Sequence, residues 1–410
     1  MNFNINLNLD QVLGMFAAHF IGDALGAGYE FKTSNFANYT GVINSDLYWS
    51  SRWIGTKVGP KGQTTDDTAM TLCLLAVLMQ NQGHYINSQA IQAYNIWASG
   101  PAGYTLTDNN QTTNLDQSTQ YTSKSFTTRM IGTNTSTLFK YQVKPENVIK
   151  SFLHRYEKKF VNNGDVAQQA QSNGCLMRCT PFALLIDFAK YAHQDCYLTN
   201  PNAICWECNN LYLLALREIL SNSSDNNSSN NSSSDNNGSS NNSSSDNNSS
   251  SNNYNSSSNN SSSDNNSSSN SKSGMNIYKM LRSTATIPEI QAVFNIIDEG
   301  NFPAVKKNKG WILHALAVVL RAILFIDSPD PKLQDFFDWV IQLGGDTDTN
   351  ACIGGAIIGA YLGYDKIITE SKSKQNWDII TSVDISSSQL DTRSEYQGKN
   401  LRVALQNLFN

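Results

Sequence analysis

Apolar residues recur at three- and four-residue intervals along most of this chain, and that rhythm more than any other feature limits what it can fold into. Asp10–Leu25 carries it at Val12, Leu13, Phe16, Phe20, Ile21 and Leu25. Thr68–Gln82, Asn87–Trp97, Pro145–Phe160, Pro181–His193, Pro201–Leu220, Gly310–Ile326 and Asn350–Leu362 repeat it, and a further helix is expected to begin near Met275. Ser, Thr, Pro or Asn stands near the start of most of these runs, the chemistry that opens a helix. Alternating strand patterns are scarce. The expected fold class is all-α, with eight or more helices in one domain spanning residues 1–410.

One segment breaks the pattern. Residues 221–273 are almost wholly Ser and Asn, with Tyr254 as the one apolar side chain. Such a tract cannot bury enough surface to offset chain entropy, so it is expected to be a disordered insert between two helices. Loop closure costs grow only logarithmically with length, which makes the insertion cheap. Gly100–Thr137 is also aperiodic, polar and Thr-rich, and loops that long are usually functional or mobile.

Charge narrows the function. The chain carries −5 in total, and the tract contributes −3 of it through four Asp and one Lys. A remainder of −2 gives no field to draw nucleic acid or an anionic membrane. No apolar run reaches the 18–20 residues of a membrane span. The N-terminus lacks the basic flank and apolar core of a signal peptide, so a soluble, cytoplasmic protein is expected. Seven cysteines without a secretion signal read as free core thiols; Cys205-Trp-Glu-Cys208 lacks the second ligand pair of a zinc site. His19, His84, His154, His193 and His314 show no metal-ligand spacing and read as structural or exposed.

Two acidic clusters carry the chemistry. Thr65-Asp66-Asp67-Thr68 and Gly344-Gly345-Asp346-Thr347-Asp348-Thr349 each stand directly before a helix. Asp at a helix start can simply cap it and complement the dipole. A second such cluster some 280 residues on is harder to explain by capping. Asp and Thr oxygens without His or Cys are the donors of a hard cation such as Mg²⁺ or Mn²⁺. Ser172-Asn173-Gly174 bends the chain and offers backbone N–H groups, a suitable cradle for phosphate. Arg178 could serve a phosphate bidentately or pair with a structural carboxylate, and both roles stay open. Gly354, Gly355 and Gly359 are placed broadly on one side of a helix, admitting another backbone.

Taken in order, Gly22-Asp23-Ala24-Leu25-Gly26 with Glu30, Thr65–Thr68, Ser172–Arg178 and Gly344–Thr349 resemble the ADP-ribosylglycohydrolases. These are all-α, two-magnesium hydrolases that include the enzyme reactivating dinitrogenase reductase and its eukaryotic relatives. The resemblance spans about Leu9–Gly363 without the Ser/Asn tract, and implies a compact orthogonal multi-helix fold. It implies two Mg²⁺ held by Thr65, Asp66, Asp67, Asp346, Asp348 and Thr349, with Mn²⁺ as an alternative. It implies a substrate in which ADP-ribose is joined to a protein side chain or related acceptor. Ser172, Asn173, Gly174, Met177 and Arg178 look like the loop that holds the phosphates and ribose. Glu30 is similar to an acidic residue that gates or assists catalysis in some members, and with Asp67 and Asp348 makes three acid/base candidates. Asn200 stands where members commonly carry a ligand-holding His, which bears on affinity and substrate choice. Two other readings fit the fold: a member that binds ADP-ribose without turnover, and a two-metal nucleotide phosphohydrolase.

Overall fold

The computed structural model describes residues 2–4, 6–32, 36, 38–48, 57–99, 171–221, 273–305, 307, 309–383 and 406–407. The expected helix Pro145–Phe160, the polar stretch Gly100–Thr137 and nearly all of the Ser/Asn tract lie outside these residues.

Helices dominate. In chain order they are α1 (Leu9–Gly26), α2 (Asp66–Gln80), α3 (Asn87–Ser99), α4 (Gly174–Met177), α5 (Phe188–Thr199), α6 (Ala203–Leu220) and α7 (Gly274–Thr284). Then follow α8 (Pro288–Asp298), α9 (Ile312–Phe325), α10 (Leu333–Leu343), α11 (Thr347–Leu362), α12 (Tyr364–Ile367) and α13 (Ser371–Ser382). The strands described are a short antiparallel pair, β1 (Leu47–Tyr48) and β2 (Lys57–Gly59). The all-α expectation holds.

Local chemistry explains the helix starts. Asn8 caps α1, its side-chain oxygen accepting from the Asp10 N–H at 2.8 Å. Asn202 does the same for α6 through the Ile204 N–H at 2.9 Å. Pro288 stands in the first turn of α8, where its missing N–H costs nothing. Pro181–His193, expected as one helix, is two elements. A 3₁₀ turn, Thr180–Leu184, ends at the extended Leu185, and α5 begins only at Phe188. The helical rhythm ran across a break that it could not register.

Four helices form the interior, among them α2, which is buried from Asp67 to Leu78. In α1 every residue from Val12 to Gly26 is buried, and α11 is buried from Thr347 to Ala360. Most of α9 is buried as well. Helices apolar all round belong inside, whereas α7, α8 and α10 bury one face each. One continuous apolar cluster runs through the described residues from Phe3 to Ile380.

The α1–α11 contact fixes the site. A Cβ on Gly22 would strike the Ala351 carbonyl, and one on Gly26 would lie 2.5 Å from the Cα of Asp348. Backbone thus meets backbone, and the C-terminal end of α1 sits on the acidic start of α11. Gly355 and Gly359 face α1, but Gly354 faces Phe336 of α10 and Val318 of α9. The glycines therefore serve contacts with three helices, α1, α9 and α10, rather than one side.

Candidate functional site

Asp23, buried near the end of α1, organises the first acidic cluster. Its carboxylate accepts the Thr65 N–H at 3.0 and 3.1 Å, the Thr65 hydroxyl at 2.7 Å and the Thr68 N–H at 3.0 Å. These are the N-cap and third-residue donors of α2, so the helix is capped from α1 rather than by its own side chains. Asp66 and Asp67 are thereby relieved of capping. Asp67 is buried, its Oδ2 accepts from the Thr65 hydroxyl at 3.3 Å, and its Oδ1 has no hydrogen-bond partner. Asp66 is half-buried beside it.

The second cluster forms the opposite wall. Gly344 and Gly345 take φ of 72° and 79°, and a Cβ on Gly345 would come 2.6 Å from the Val305 carbonyl. Only glycine suits that approach. The turn places Asp346 at the N-cap of α11 and Asp348 in its first turn, both buried, and Asp346 makes no side-chain cap bond. Asp348 accepts the Thr349 N–H at 2.9 Å, and the Thr347 hydroxyl donates to the Gly26 carbonyl at 2.8 Å, stitching the start of α11 to the end of α1.

The clusters converge. Oxygens of Glu30, Asp346 and Asp348 lie within 4.8 Å of one another, the one group of its kind among the described residues. Burial raises the pKa of Asp67, and the charges of Asp23, Asp346 and Glu30 raise it further. Burial, then Glu30, Asp346 and Asp67, do the same to Asp348. Asp66 is raised by burial, then by Asp67 and Asp23. Asp346 is raised by burial alone, with hydrogen bonds from its neighbours opposing the shift. Gathering carboxylates out of water is costly without a cation. The orphaned Asp67 oxygen, the purely oxygen donor set and the raised protonation all fit a hard divalent ion. The residues present suit the metal that the fold implies.

The loop at Ser172 meets this acidic wall. Ser172 pairs with Trp311, and Asn173 donates its backbone N–H to Gly310 at 2.9 Å. The Asn173 side-chain amide donates to Asp346 Oδ2 at 2.8 Å. Gly174 opens the short α4 and Met177 is buried in it. Arg178 turns inward: Nε donates to Asp195 Oδ2 at 2.7 Å, and its other nitrogens to the Gly174 and Asp195 carbonyls and the Thr199 hydroxyl at 2.8–3.0 Å. It is fully buried, and Asp195 holds its pKa above the usual value against the cost of burial. Of its two open roles, this is the structural pair. Asn200 is also buried, its amide donating to the Ser172 carbonyl at 2.9 Å and hydroxyl at 3.1 Å. Its oxygen accepts from the Thr199 hydroxyl at 2.7 Å. Asn200 therefore ties the loop down from behind.

Sequence alone assigns no role to two contributors, Asp23 and the Asn173–Asp346 bond. The signal for Asp23 was a charge inside an otherwise apolar helix, one turn after His19. His19 is fully buried, within 2.9 Å of the Cys352 sulfur and 3.3 Å of the Thr71 hydroxyl, and burial pulls its pKa down to about 3. It is a neutral core residue. The cysteines are all free and buried, as expected.

Comparison with known proteins agrees with this geometry. The family description ADP-ribosylglycohydrolase matches residues 5–393. Comparison with curated proteins gave no match. Among solved structures, one described as an ADP-ribosylglycohydrolase-related protein complex is similar at a TM-score of 0.54. It is 16% identical over 98% of this chain and 97% of that one, a likeness that speaks for the fold. Among the described residues no helix is long and apolar enough to cross a membrane. With the match running through all four motifs, the chain belongs to the ADP-ribosylglycohydrolase family.

Proposed function

We propose that this protein is a Mg²⁺-dependent hydrolase that cleaves the glycosidic bond between ADP-ribose and a protein side chain or related acceptor. The observation that carries the reading is the meeting of Glu30, Asp346 and Asp348 in one oxygen cluster, with Asp67 facing it through charge. Thr65, Asp66, Asp67, Asp346, Asp348 and Thr349 would hold two Mg²⁺ or Mn²⁺ ions. When bound, such ions orient the ribose hydroxyls and acidify water.

The chain's own groups do the rest. Water adds to the anomeric carbon, the bond to the acceptor atom breaks, and its electron pair leaves with the acceptor. The water gives up one proton and the acceptor takes one. Glu30, half-buried at the edge of the cluster, is assigned this proton traffic, with Asp67 and Asp348 as the alternatives. Carboxylates nearby favour the oxocarbenium-like transition state. Ser172, Asn173 and Gly174 are assigned to the ADP-ribose moiety, while Met177, Arg178 and Asn200 support that loop from behind. A cytoplasmic setting and an ADP-ribosylated protein as partner accompany this reading.

Incubation with Arg-, Ser- and poly-ADP-ribosylated substrates, with products read by mass spectrometry, tests it. Free ADP-ribose from at least one substrate is expected. Phosphate release from nucleotides with ADP-ribose linkages left intact would instead support a phosphohydrolase. Binding of ADP-ribose without release would support a non-catalytic member.

A further inference from the structure

Glu30 is followed by a backbone conformation that needs holding. Phe31 has φ of +55°, one of two non-glycine residues among those described with positive φ. For a bulky aromatic this region persists only where the surroundings impose it. Both backbone polar groups of Phe31 are clamped. Its N–H donates to the Gly345 carbonyl at 2.7 Å, and its carbonyl accepts from Lys309 Nζ at 2.8 Å. The same ammonium lies 5.4 Å from the centre of the Phe31 ring, within cation–π range.

Both clamps are rooted beside Asp346. Gly345 precedes it directly. Lys309 precedes Gly310, where a Cβ would come 3.1 Å from Asp346 Oδ2, and Gly310 also accepts the Asn173 N–H. On its C-terminal side Glu30 is thus tied to the Asp346 turn through one strained residue and two bonds. One of those bonds comes from an exposed lysine that spends side-chain freedom to make it.

We infer that Lys309 is a positioning residue: by locking Phe31 in its left-handed conformation it holds Glu30 in the carboxylate trio with Asp346 and Asp348. The inference rests on the reading of the acidic cluster as a divalent-cation site, with the Glu30 carboxylate at its edge close enough to bear on how tightly the ion is held.

The sign of a substitution separates this role from simple electrostatics. Removing a positive charge near an acidic site should tighten cation binding if charge were all that mattered. Loss of positioning should weaken it. The test is Mn²⁺ titration of the full chain, by calorimetry or electron paramagnetic resonance, for wild type, Lys309→Met, Lys309→Arg and Lys309→Met with Phe31→Gly. Lys309→Met is expected to bind Mn²⁺ about fivefold more weakly, the scale of one ordinary hydrogen bond, since the lysine is exposed. Lys309→Arg keeps a donor and should bind nearly as wild type. Phe31→Gly should restore affinity in the Lys309→Met background, because glycine adopts positive φ without strain. Melting curves confirm that each variant is folded. Wild-type binding with unchanged or tighter binding in Lys309→Met overturns the inference and leaves the metal reading standing, as does failure of Phe31→Gly to restore affinity. No Mn²⁺ binding by wild type overturns the metal reading, and the inference with it.

Discussion

The carboxylate of Asp23 accepts both the backbone N–H of Thr65, at 3.0 Å, and its hydroxyl, at 2.7 Å. A residue on one helix therefore builds the N-terminus of another and aims the first acidic cluster. The two classes of carboxylate follow from this: Asp23 is satisfied by donors, whereas Asp67 has a buried oxygen with none.

Substitution should separate these classes. Asp23→Ala removes the cap of α2 and is expected to cost about 2–3 kcal/mol, the scale of charged hydrogen bonds lost with their donors left buried. Asp67→Ala relieves repulsion and should leave metal-free stability unchanged or higher. Urea denaturation of both variants without metal checks the order. Equal losses would mean that Asp67 is a structural cap.

The pH dependence of metal-free stability should carry the same signature. Asp66, Asp67, Asp346 and Asp348 have raised pKa values in the fold, so the folded state holds their protons more tightly. Their contribution is complete below the ordinary value of 3.8 and is lost as pH rises through the raised values. His19 acts oppositely, destabilising as pH falls from 6.5 towards about 3. Mg²⁺ competes with the carboxylate protons, so the rise in melting temperature it produces should grow from about pH 5 to about pH 8. A Mg²⁺ effect that is flat or falling across that range would count against the cluster as its site.

Much of this was legible in the chain. The helical rhythm located the buried helices α1, α9 and α11, and the paired Asp-Thr clusters pointed to a hard cation. What sequence could not convey was direction. Arg178 reads equally well as a phosphate ligand or an internal pair until Asp195, seventeen residues away, is seen at 2.7 Å. Asn200 stands at a position expected to touch ligand, yet its amide is engaged with Ser172. Asp23 stands within a motif that gives it no role by itself, because its partners Thr65 and Thr68 lie on another helix, 42 and 45 residues further along the chain.

Arg178→Met should unfold or strongly destabilise the protein, by about 3–5 kcal/mol, because Asp195 would be left buried and uncompensated. Denaturant unfolding measures this. A variant of wild-type stability that had lost only ADP-ribose binding would restore the phosphate role.

Asn200→Ala releases Ser172 without touching the acidic wall. ADP-ribose binding should weaken about five- to tenfold, the scale of one or two hydrogen bonds, while the Mg²⁺-induced thermal shift is unchanged. Calorimetry with ADP-ribose and a melting curve with Mg²⁺ report the two effects separately. Loss of the Mg²⁺ shift would show that the loop and the metal site are not separable.

The most direct test of the acidic cluster as the reacting centre is restoration of turnover. Protein stripped with a chelator is given Mg²⁺ in steps, and ADP-ribose release from an ADP-ribosylated substrate is followed for wild type and Asp348→Ala. Release should be absent from the stripped protein, return saturably with Mg²⁺ in wild type, and stay absent in Asp348→Ala at any Mg²⁺ concentration. Release that persists in thoroughly stripped protein, or returns in Asp348→Ala as in wild type, would contradict the account.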